Sequence, residues 1–258
     1  VNIVGDHATY HLASGPPLHS DLTGLARASS AWVESVASAE AMADAGARAV
    51  AASMGPPGAI ATLIVPADAA WGDVEDAAGE GALRAAVLRA GRTAGAYPSD
   101  ATIDGIAQVL RSGEPAVILL GGRAVRSTNA ERAGRVAAAT GATLCSAPFS
   151  AIAPRGAGSV ATERLPYFPE MVLQLLAGVK HLILVDAPAP VAFFAYPGLP
   201  GRLVPDGCTV HVLASGGDDV TAALDALVPA CGAGSAEARR VARATPPVAS
   251  GAITPATF

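Results

Sequence analysis

Ile60-Ala61-Thr62-Leu63-Ile64-Val65-Pro66 is a nearly continuous apolar run, rich in β-branched residues and closed by a proline. A strand with one wet face alternates apolar and polar residues. A run without that alternation fits a strand covered on both faces, as in a parallel sheet flanked by helices. Working backwards, Gly55-Pro56-Pro57-Gly58 stops whatever precedes the strand. From about Val33 to Met54 the chain is Ala-rich and free of proline, with Val33, Val36, Met42 and Val50 set among small residues, which predicts one helix. Val1-Asn2-Ile3-Val4 is a short β-type run ending at Gly5-Asp6, and Gly15-Pro16-Pro17 and Ser29-Ser30 mark loop or turn chemistry after it. The first block reads strand, loop, helix, strand.

Working forwards, the character changes after Ala67. Asp68, Asp73, Glu75, Asp76 and Glu80 cluster near Gly72, Gly79 and Gly81, which marks a domain boundary. A helix is then predicted from about Thr102 to Arg111, a strand over Ala116 to Leu120, and a helix from about Asn129 to Thr140, announced by Thr128 and Glu131 in capping-box spacing. A strand at Thr143 to Ser146, a helix around Glu170 to Ala177, strands at His181 to Val185 and Thr209 to Leu213, and a helix from Asp218 to Val228 complete the series. Alternating strands and helices predict an α/β fold, a parallel sheet with helices on both faces. The expected division is residues 1–72, a linker 73–100, a Rossmann-like domain 101–231, and a linker 232–258 marked by Pro246-Pro247, Ser250-Gly251 and Pro255.

Composition narrows the function classes. Hydrophobic residues are 51% and charged ones 15% of 258, a globular composition. The net charge of -5 is a thin scatter of both signs with no basic run, so nothing would neutralise a row of phosphates, and nucleic acid is not expected as a partner. Ala59 to Val65 is too short for a bilayer, and Leu182 to Phe194 is broken by Asp186, Pro188 and Pro190, so no membrane span is read. Cys145, Cys208 and Cys231 are odd in number and widely spaced, and no signal peptide opens the chain, which fits a cytoplasmic location. Val1 already stands inside a strand and Phe258 follows a loop-like segment, so both ends read as cut.

Three segments carry a resemblance. Val1 to His11, with Gly5-Asp6-His7-Ala8-Thr9-Tyr10-His11, resembles a strand and loop in the pyrimidine-binding domain of thiamine diphosphate-dependent enzymes of the acetolactate synthase and benzoylformate decarboxylase type. Pro56-Pro57-Gly58 with Thr62 to Asp68 looks like the closing strand of that domain. Pro115 to Leu120 with Gly121-Gly122 looks like the first strand and turn of the family's central domain. The resemblance implies two parallel-sheet, three-layer domains, the first incomplete (1–72) and the second the Rossmann-like central domain (101–231), with 232–258 leading to a diphosphate-binding domain.

It also implies thiamine diphosphate and Mg2+ as cofactors of the complete enzyme, a small 2-oxo acid as substrate, a homo-oligomer, and chemistry carried by the cofactor. The glutamate that activates the cofactor is expected before Val1 and the magnesium motif after Phe258, so the segment alone is expected to be inactive. An acetolactate synthase-like transferase is the reading; a benzoylformate decarboxylase-like lyase is the alternative. Against the lyase, Phe193 falls where benzoylformate decarboxylase places a histidine, and phenylalanine moves no proton. A non-catalytic nucleotide- or partner-binding α/β module, or an unrelated two-domain binding protein with a cleft between its blocks, remain as rivals. An incomplete parallel sheet would leave an unpaired edge, so association or marginal stability is expected.

Gly5, Asp6 and His7 are the candidate cofactor-facing residues, because ligands of α/β folds lie outside the carboxyl ends of strands; Asp6 and His7 could equally bond the backbone of their own turn. His7, His11 and His19 invite a metal reading, but no Cys or Glu completes a ligand spacing and Gly15-Pro16-Pro17 interrupts the geometry, so no metal ligand is assigned. Gly121-Gly122 could approach the phosphate of FAD, which some relatives hold against the central domain. It falls short of Gly-x-Gly-x-x-Gly, and a tight turn accounts for it equally well. Arg123 and Arg126 read as helix-flanking charges, and Phe193, Phe194 and Tyr196 as packing at a domain interface.

Overall fold

The computed structural model describes residues 1–55, 57–74, 95–245, 251–252 and 254–255. Pro56, the acidic residues Glu75, Asp76 and Glu80, and Pro246, Pro247 and Ser250 lie outside the described residues. The chain divides into two units, Val1–Ala96 with Gly216–Asp218, and Tyr97–Ser215 with Asp219–Phe258.

In the first unit, β1 (Asn2–Asp6), a 3-10 turn (Thr9–Ser14), α1 (Leu22–Arg27), β2 (Trp32–Ser35), α2 (Met42–Met54), β3 (Ala61–Pro66) and α3 (Ala67–Trp71) follow one another. The sheet is parallel, in the order β1-β3-β2. Central β3 is buried at every position, as its unbroken apolar run requires. The helix expected over Val33 to Met54 is two elements. Trp32 and Val33 pair with Ala61 and Thr62, so the bulky start of the segment becomes a strand, and the helix begins only at Met42. Tertiary pairing with β3 overrides the segment's local bias toward helix. Ala45 and Ala49 then let α2 sit close on Ala61, Leu63 and Val65. β1 is an edge strand, and its Ile3 is 74% exposed.

The second unit contains α4 (Asp100–Leu110), β4 (Ala116–Leu120), α5 (Ser127–Thr140), β5 (Thr143–Ser146), β6 (Glu163–Arg164), α6 (Pro169–Leu175), β7 (His181–Val185), β8 (Thr209–Ala214) and α7 (Val220–Ala230). Its parallel sheet runs β6-β5-β4-β7-β8. Alternate residues of β4 serve opposite faces. Ile118 and Leu120 join α4, α5 and α7 in one core, while Val117 and Leu119 join Val172 and Leu176 in another. Two helix starts are capped by side chains, Ser99 accepting from Thr102 N and Asp219 from Ala222 N. The Thr128–Glu131 capping box does not form. Helix α5 starts at Ser127, which puts Thr128 inside it, and Glu131 pairs with Arg240 Nη2 at 2.8 Å instead.

Two expected linkers contain ordered structure. Helix α4 begins at Asp100, at the end of the stretch 73–100. Residues 232–241 pack onto the second unit: Ala233 and Ala238 are buried, Arg135 Nε donates to Ala236 O at 3.1 Å, and Arg240 forms an antiparallel bridge with Val160. Small residues make this docking close. A Cβ on Gly134 would lie 2.7 Å from Ala238 Cβ and 2.9 Å from Val160 Cγ1. All three cysteines are free; burial pushes the thiols of Cys145 and Cys231 up to about 12 and about 11. No helix among the described residues is long and apolar enough to cross a membrane.

At the amino ends of β7 and β8, His181 stands between two partners, with Nε2 2.9 Å from Glu114 Oε2 and Nδ1 3.2 Å from His211 Nε2. With Nε2–H of His181 donating to the carboxylate, Nδ1 of its ring accepts from His211 Nε2–H. Burial first, then the neighbouring His181, holds the His211 imidazole below its ordinary value.

Two predictions follow from this packing. Gly134→Val should destabilise the chain by about 2–3 kcal/mol through overpacking, whereas Gly105→Ala, at an exposed helical position with open space around it, should stabilise it by about 0.5–1 kcal/mol; urea unfolding reads both. The unfolded chain takes up a proton on His211 near pH 6.5 that the folded chain resists, so this residue's contribution is full above that pH and shrinks below it. The urea midpoint should fall on acidification more steeply for the parent chain than for His211→Asn.

Candidate functional site

The carboxyl ends of β1 and β3 lie side by side, with Asp6 paired to Pro66. The chain leaves β1 through Gly5-Asp6-His7 into the 3-10 turn and leaves β3 directly into α3. Between these exits lies a cavity of about 600 Å3, lined by Gly5, Asp6, His7, Tyr10, His11, Leu18, Leu22 and Trp71 among others. The three residues singled out from the sequence thus share one concave surface. They also bond their own turn: Asp6 Oδ1 accepts from His7 N at 2.7 Å, and His7 Nε2 donates to Pro17 O at 3.0 Å, leaving Nδ1 as the acceptor of the neutral ring.

Asp68 fixes the far wall. Its carboxylate accepts from Thr9 N at 3.0 Å and from the Thr9 hydroxyl, tying the 3-10 turn to the start of α3. The hydroxyl bond first, and the amide bond second, hold the Asp68 carboxyl below the usual range. Tyr10 and Trp71 stand on the rim, 74% and 75% exposed. Trp71 was not singled out by the sequence reading; the available clue was its position just past the carboxyl end of the fully buried strand β3. His7 and His11 lie edge to face with ring centroids 6.1 Å apart. Among the described residues no three His, Cys, Asp or Glu side chains converge as a metal ion would need.

This lining has a definite chemical character. Among the described residues, Asp6 is its one carboxylate, and it contains no lysine or arginine. Aromatic and aliphatic walls with a few polar groups suit a neutral heteroaromatic ring. They offer no fixed cation to a diphosphate.

In the second unit the strand order reverses between β4 and β7, and Gly121-Gly122 and Asp186 meet there. A Cβ on Gly121 would lie 2.4 Å from Asp186 O. Gly122 has φ +39°, and a Cβ there would lie 2.4 Å from Asp186 Oδ2. The same carboxylate oxygen accepts from Arg123 N at 2.7 Å and lies 3.4 Å from Arg123 Nε. The glycines are therefore accounted for by this close clasp, and Arg123 by its bond to Asp186. Arg126 is the N-cap residue of α5.

A larger cavity, about 1220 Å3, is lined by the carboxyl end of β5, residues 147–156, the outer face of α5 and Arg240. Its arginines are largely engaged: Arg132 with Asp225, Arg240 with Glu131, Arg135 with the carbonyls of Ala236 and Gly234, and Arg164 with that of Pro148.

Loss of the Asp68 anchor should loosen the first cavity without unfolding the sheet. In Asp68→Asn, hydrogen exchange at the Thr9 amide is expected to accelerate while amides of β3 keep their protection.

No family model matches the chain. Over 233 residues it is 45% identical to the "Putative acetolactate synthase large subunit IlvX" of Mycobacterium tuberculosis (strain ATCC 25618 / H37Rv), covering 89% of this chain and 43% of that protein. Among solved structures, 98% of the chain superposes on 49% of a thiamine diphosphate-dependent 4-hydroxybenzoylformate decarboxylase of Rhodococcus jostii RHA1, with a TM-score of 0.65 at 18% identity. The benzoylformate decarboxylase of Polynucleobacter necessarius matches 99% of the chain over 49% of its own length, with a TM-score of 0.59 at 16% identity. The chain spans about half the length of these proteins, or less.

Proposed function

We propose that this chain, homologous over 89% of its length to a protein of the acetolactate synthase large-subunit type and sharing the fold of thiamine diphosphate-dependent decarboxylases, forms the later part of the pyrimidine-binding domain and the central domain of an acetolactate synthase-like enzyme. The observation that carries the reading is the 45% identity to the mycobacterial protein, sustained over 89% of the chain. In this reading a small 2-oxo acid loses carbon dioxide and its acyl unit passes to a second 2-oxo acid. The complete protein works as a cytoplasmic homo-oligomer.

Bound cofactor would supply the stabilisation of charge that lets a 2-oxo acid lose carbon dioxide. The contribution of this chain is narrower. The cavity beside Gly5, Asp6 and His7 fits a planar, uncharged heteroaromatic ring, which Tyr10, His11 and Trp71 would flank. The same lining does not fit the diphosphate or its Mg2+, which need cationic or clustered acidic ligands. Asp6 and His7 would act by holding the loop in place: the Asp6 carboxylate fixes the His7 amide, and His7 Nε2 fixes the Pro17 carbonyl.

The lyase alternative draws support from the two decarboxylase folds that superpose on the chain. Phe193 weighs against the benzoylformate type, since a phenyl ring cannot relay the proton a histidine would carry at that place.

A chimera tests the proposal: the segment of the mycobacterial relative that aligns with this chain is exchanged for the chain itself, and the product is assayed with pyruvate and with benzoylformate. Acetolactate formed only with thiamine diphosphate and Mg2+ is the expected result. Benzaldehyde in its place would favour the lyase, and a folded chimera that acts on neither would sink both readings. Calorimetric titration of the isolated chain with the cofactor and Mg2+ should give no binding; tight, Mg2+-dependent binding would move the diphosphate site into this chain.

A further inference from the structure

At the amino end of the second unit's sheet, Glu114, His181 and His211 stand in a row of contacts. Backbone geometry sets each in place. The Pro115 carbonyl accepts from Lys180 N at 2.8 Å and from His181 N at 3.2 Å, which seats the turn carrying Glu114 against the start of β7. Glu114 N donates to Ser112 Oγ at 3.2 Å, and that hydroxyl donates to Val109 O at 2.7 Å in the last turn of α4. In the ladder between β7 and β8, His211 pairs with Ile183, two residues along from His181, so both imidazoles project from the same face of the sheet.

The order of atoms in this row is that around a metal-binding histidine. A ligating imidazole gives its second N–H to a carboxylate, a carbonyl or water, which fixes the tautomer and leaves the other nitrogen as a directed lone pair. His181 has this arrangement: Nε2 lies 2.9 Å from Glu114 Oε2, so the lone pair is on Nδ1. Facing it at 3.2 Å is His211 Nε2, with the two ring planes at 47°. Two nitrogens held at about 2.0–2.1 Å from one tetrahedral zinc ion stand about 3.3 Å apart. The histidine pair already has that bite. Moving the His211 proton from Nε2 to Nδ1 frees the second lone pair without any change of charge, and a small rotation of each ring turns both lone pairs toward one point. Burial first, then His181, holds the His211 imidazole below its ordinary value, so at neutral pH it is the uncharged ring that metals bind. The way in is open, because β8 is an edge strand and the His181 side chain keeps 15% of its surface in solvent.

We propose that His181 Nδ1 and His211 Nε2 together bind a divalent cation of the zinc class, with Glu114 orienting His181 and water completing the coordination shell. Among the described residues no group of three His, Cys, Asp or Glu could hold the ion, so the site is weaker than a structural zinc site with four protein ligands. Its effect is to clip the edge strand β8 to β7. Imidazole nitrogen selects Zn2+ and Cu2+ over Mg2+ and Ca2+, which require oxygen ligands. The site lies at the opposite end of the strands from the clasp of Gly121, Gly122 and Asp186, and it does not rest on the proposed reaction.

Calorimetric titration of the 258-residue chain, stripped of metal by a chelator, with zinc chloride tests it. One Zn2+ per chain should bind, Cu2+ should bind more tightly, and Mg2+ and Ca2+ should give no heat of binding. His211→Asn should abolish zinc binding. Glu114→Ala should weaken it about tenfold to a hundredfold, and Glu114→Gln, which keeps an oxygen to accept from His181 Nε2–H, should lose less. Zinc should raise the thermal midpoint of the parent chain and leave that of His211→Asn where it was. Imidazole nitrogen NMR of the parent chain gives the answer even if a variant misfolds: Zn2+ should shift His181 Nδ1 and His211 Nε2 and leave His7, His11 and His19 unmoved. Absence of binding up to about 1 mM Zn2+ overturns the proposal. So does zinc binding that survives His211→Asn, that is lost in Cys208→Ser, or that moves only the resonances of His7, His11 or His19, since each places the ion elsewhere.

Discussion

A strand covered on both faces can hold a polar group only if that group is bonded, and β3 and β4, buried at every position, obey that constraint: their one polar side chain, Thr62, has its hydroxyl 2.7 Å from Ser30 Oγ and 3.3 Å from Asn2 Nδ2. Each can exist only if helices pack above and below it and its backbone bonds to a strand on either side, which is what parallel sheets flanked by helices provide. Once β3 and β4 are central, the polar work of the chain is pushed to the loops at their ends. Asp6, His7 and Asp68 in the first unit, and Arg123 and Asp186 in the second, all stand at or just beyond the carboxyl ends of strands.

The same constraint explains why so much of the second unit could be read from its sequence. The strands expected at Ala116 to Leu120, Thr143 to Ser146 and His181 to Val185 coincide with those observed; for Ala116 to Leu120 and Leu182 to Val185 the reason is that unbroken apolar runs between turn signals admit few other arrangements. The misreadings have a common cause. Trp32 to Ser35 looks helical in isolation and becomes a strand only through its ladder with β3. Thr128 and Glu131 have the spacing of a cap, but the start of α5 at Ser127 and the ion pair with Arg240 make that spacing irrelevant. Residues 232–241 open the stretch 232–258, read as a linker from its prolines further on, yet they pack where Gly134 leaves room for Ala238. In each case the deciding partner is remote in sequence, where local pattern carries no information.

The candidate site was legible to a similar degree. Gly5, Asp6 and His7 follow a recognisable strand, so their loop could be placed at its carboxyl end from sequence alone, and they do line a cavity. Tyr10 and Trp71 could not be assigned to the rim beforehand, since their neighbourhood depends on β1 and β3 being adjacent, a fact of topology. For the Gly121-Gly122 pair the sequence left a phosphate approach and a tight turn open, and the structure shows both glycines pressed against Asp186, a close approach that admits no side chain.

The chemistry of the two units is uneven in a way that bears on how such a protein can work. The cavity of the first unit offers aromatic walls and one carboxylate, and that of the second holds arginines mostly committed to internal partners. Among the described residues, Asp6 and His7 of the first lining bond their own turn, and most charged groups of the second pair with internal partners. A scaffold of this kind is suited to orienting a reactive group brought from elsewhere, which is the division of labour that cofactor enzymes adopt. On that view the precision of the Thr9–Asp68 and Asp6–His7 bonds matters more than the acidity of any one residue. A loop that positions a ring loses its effect through small displacements, whereas a loop that transfers protons fails through altered ionisation.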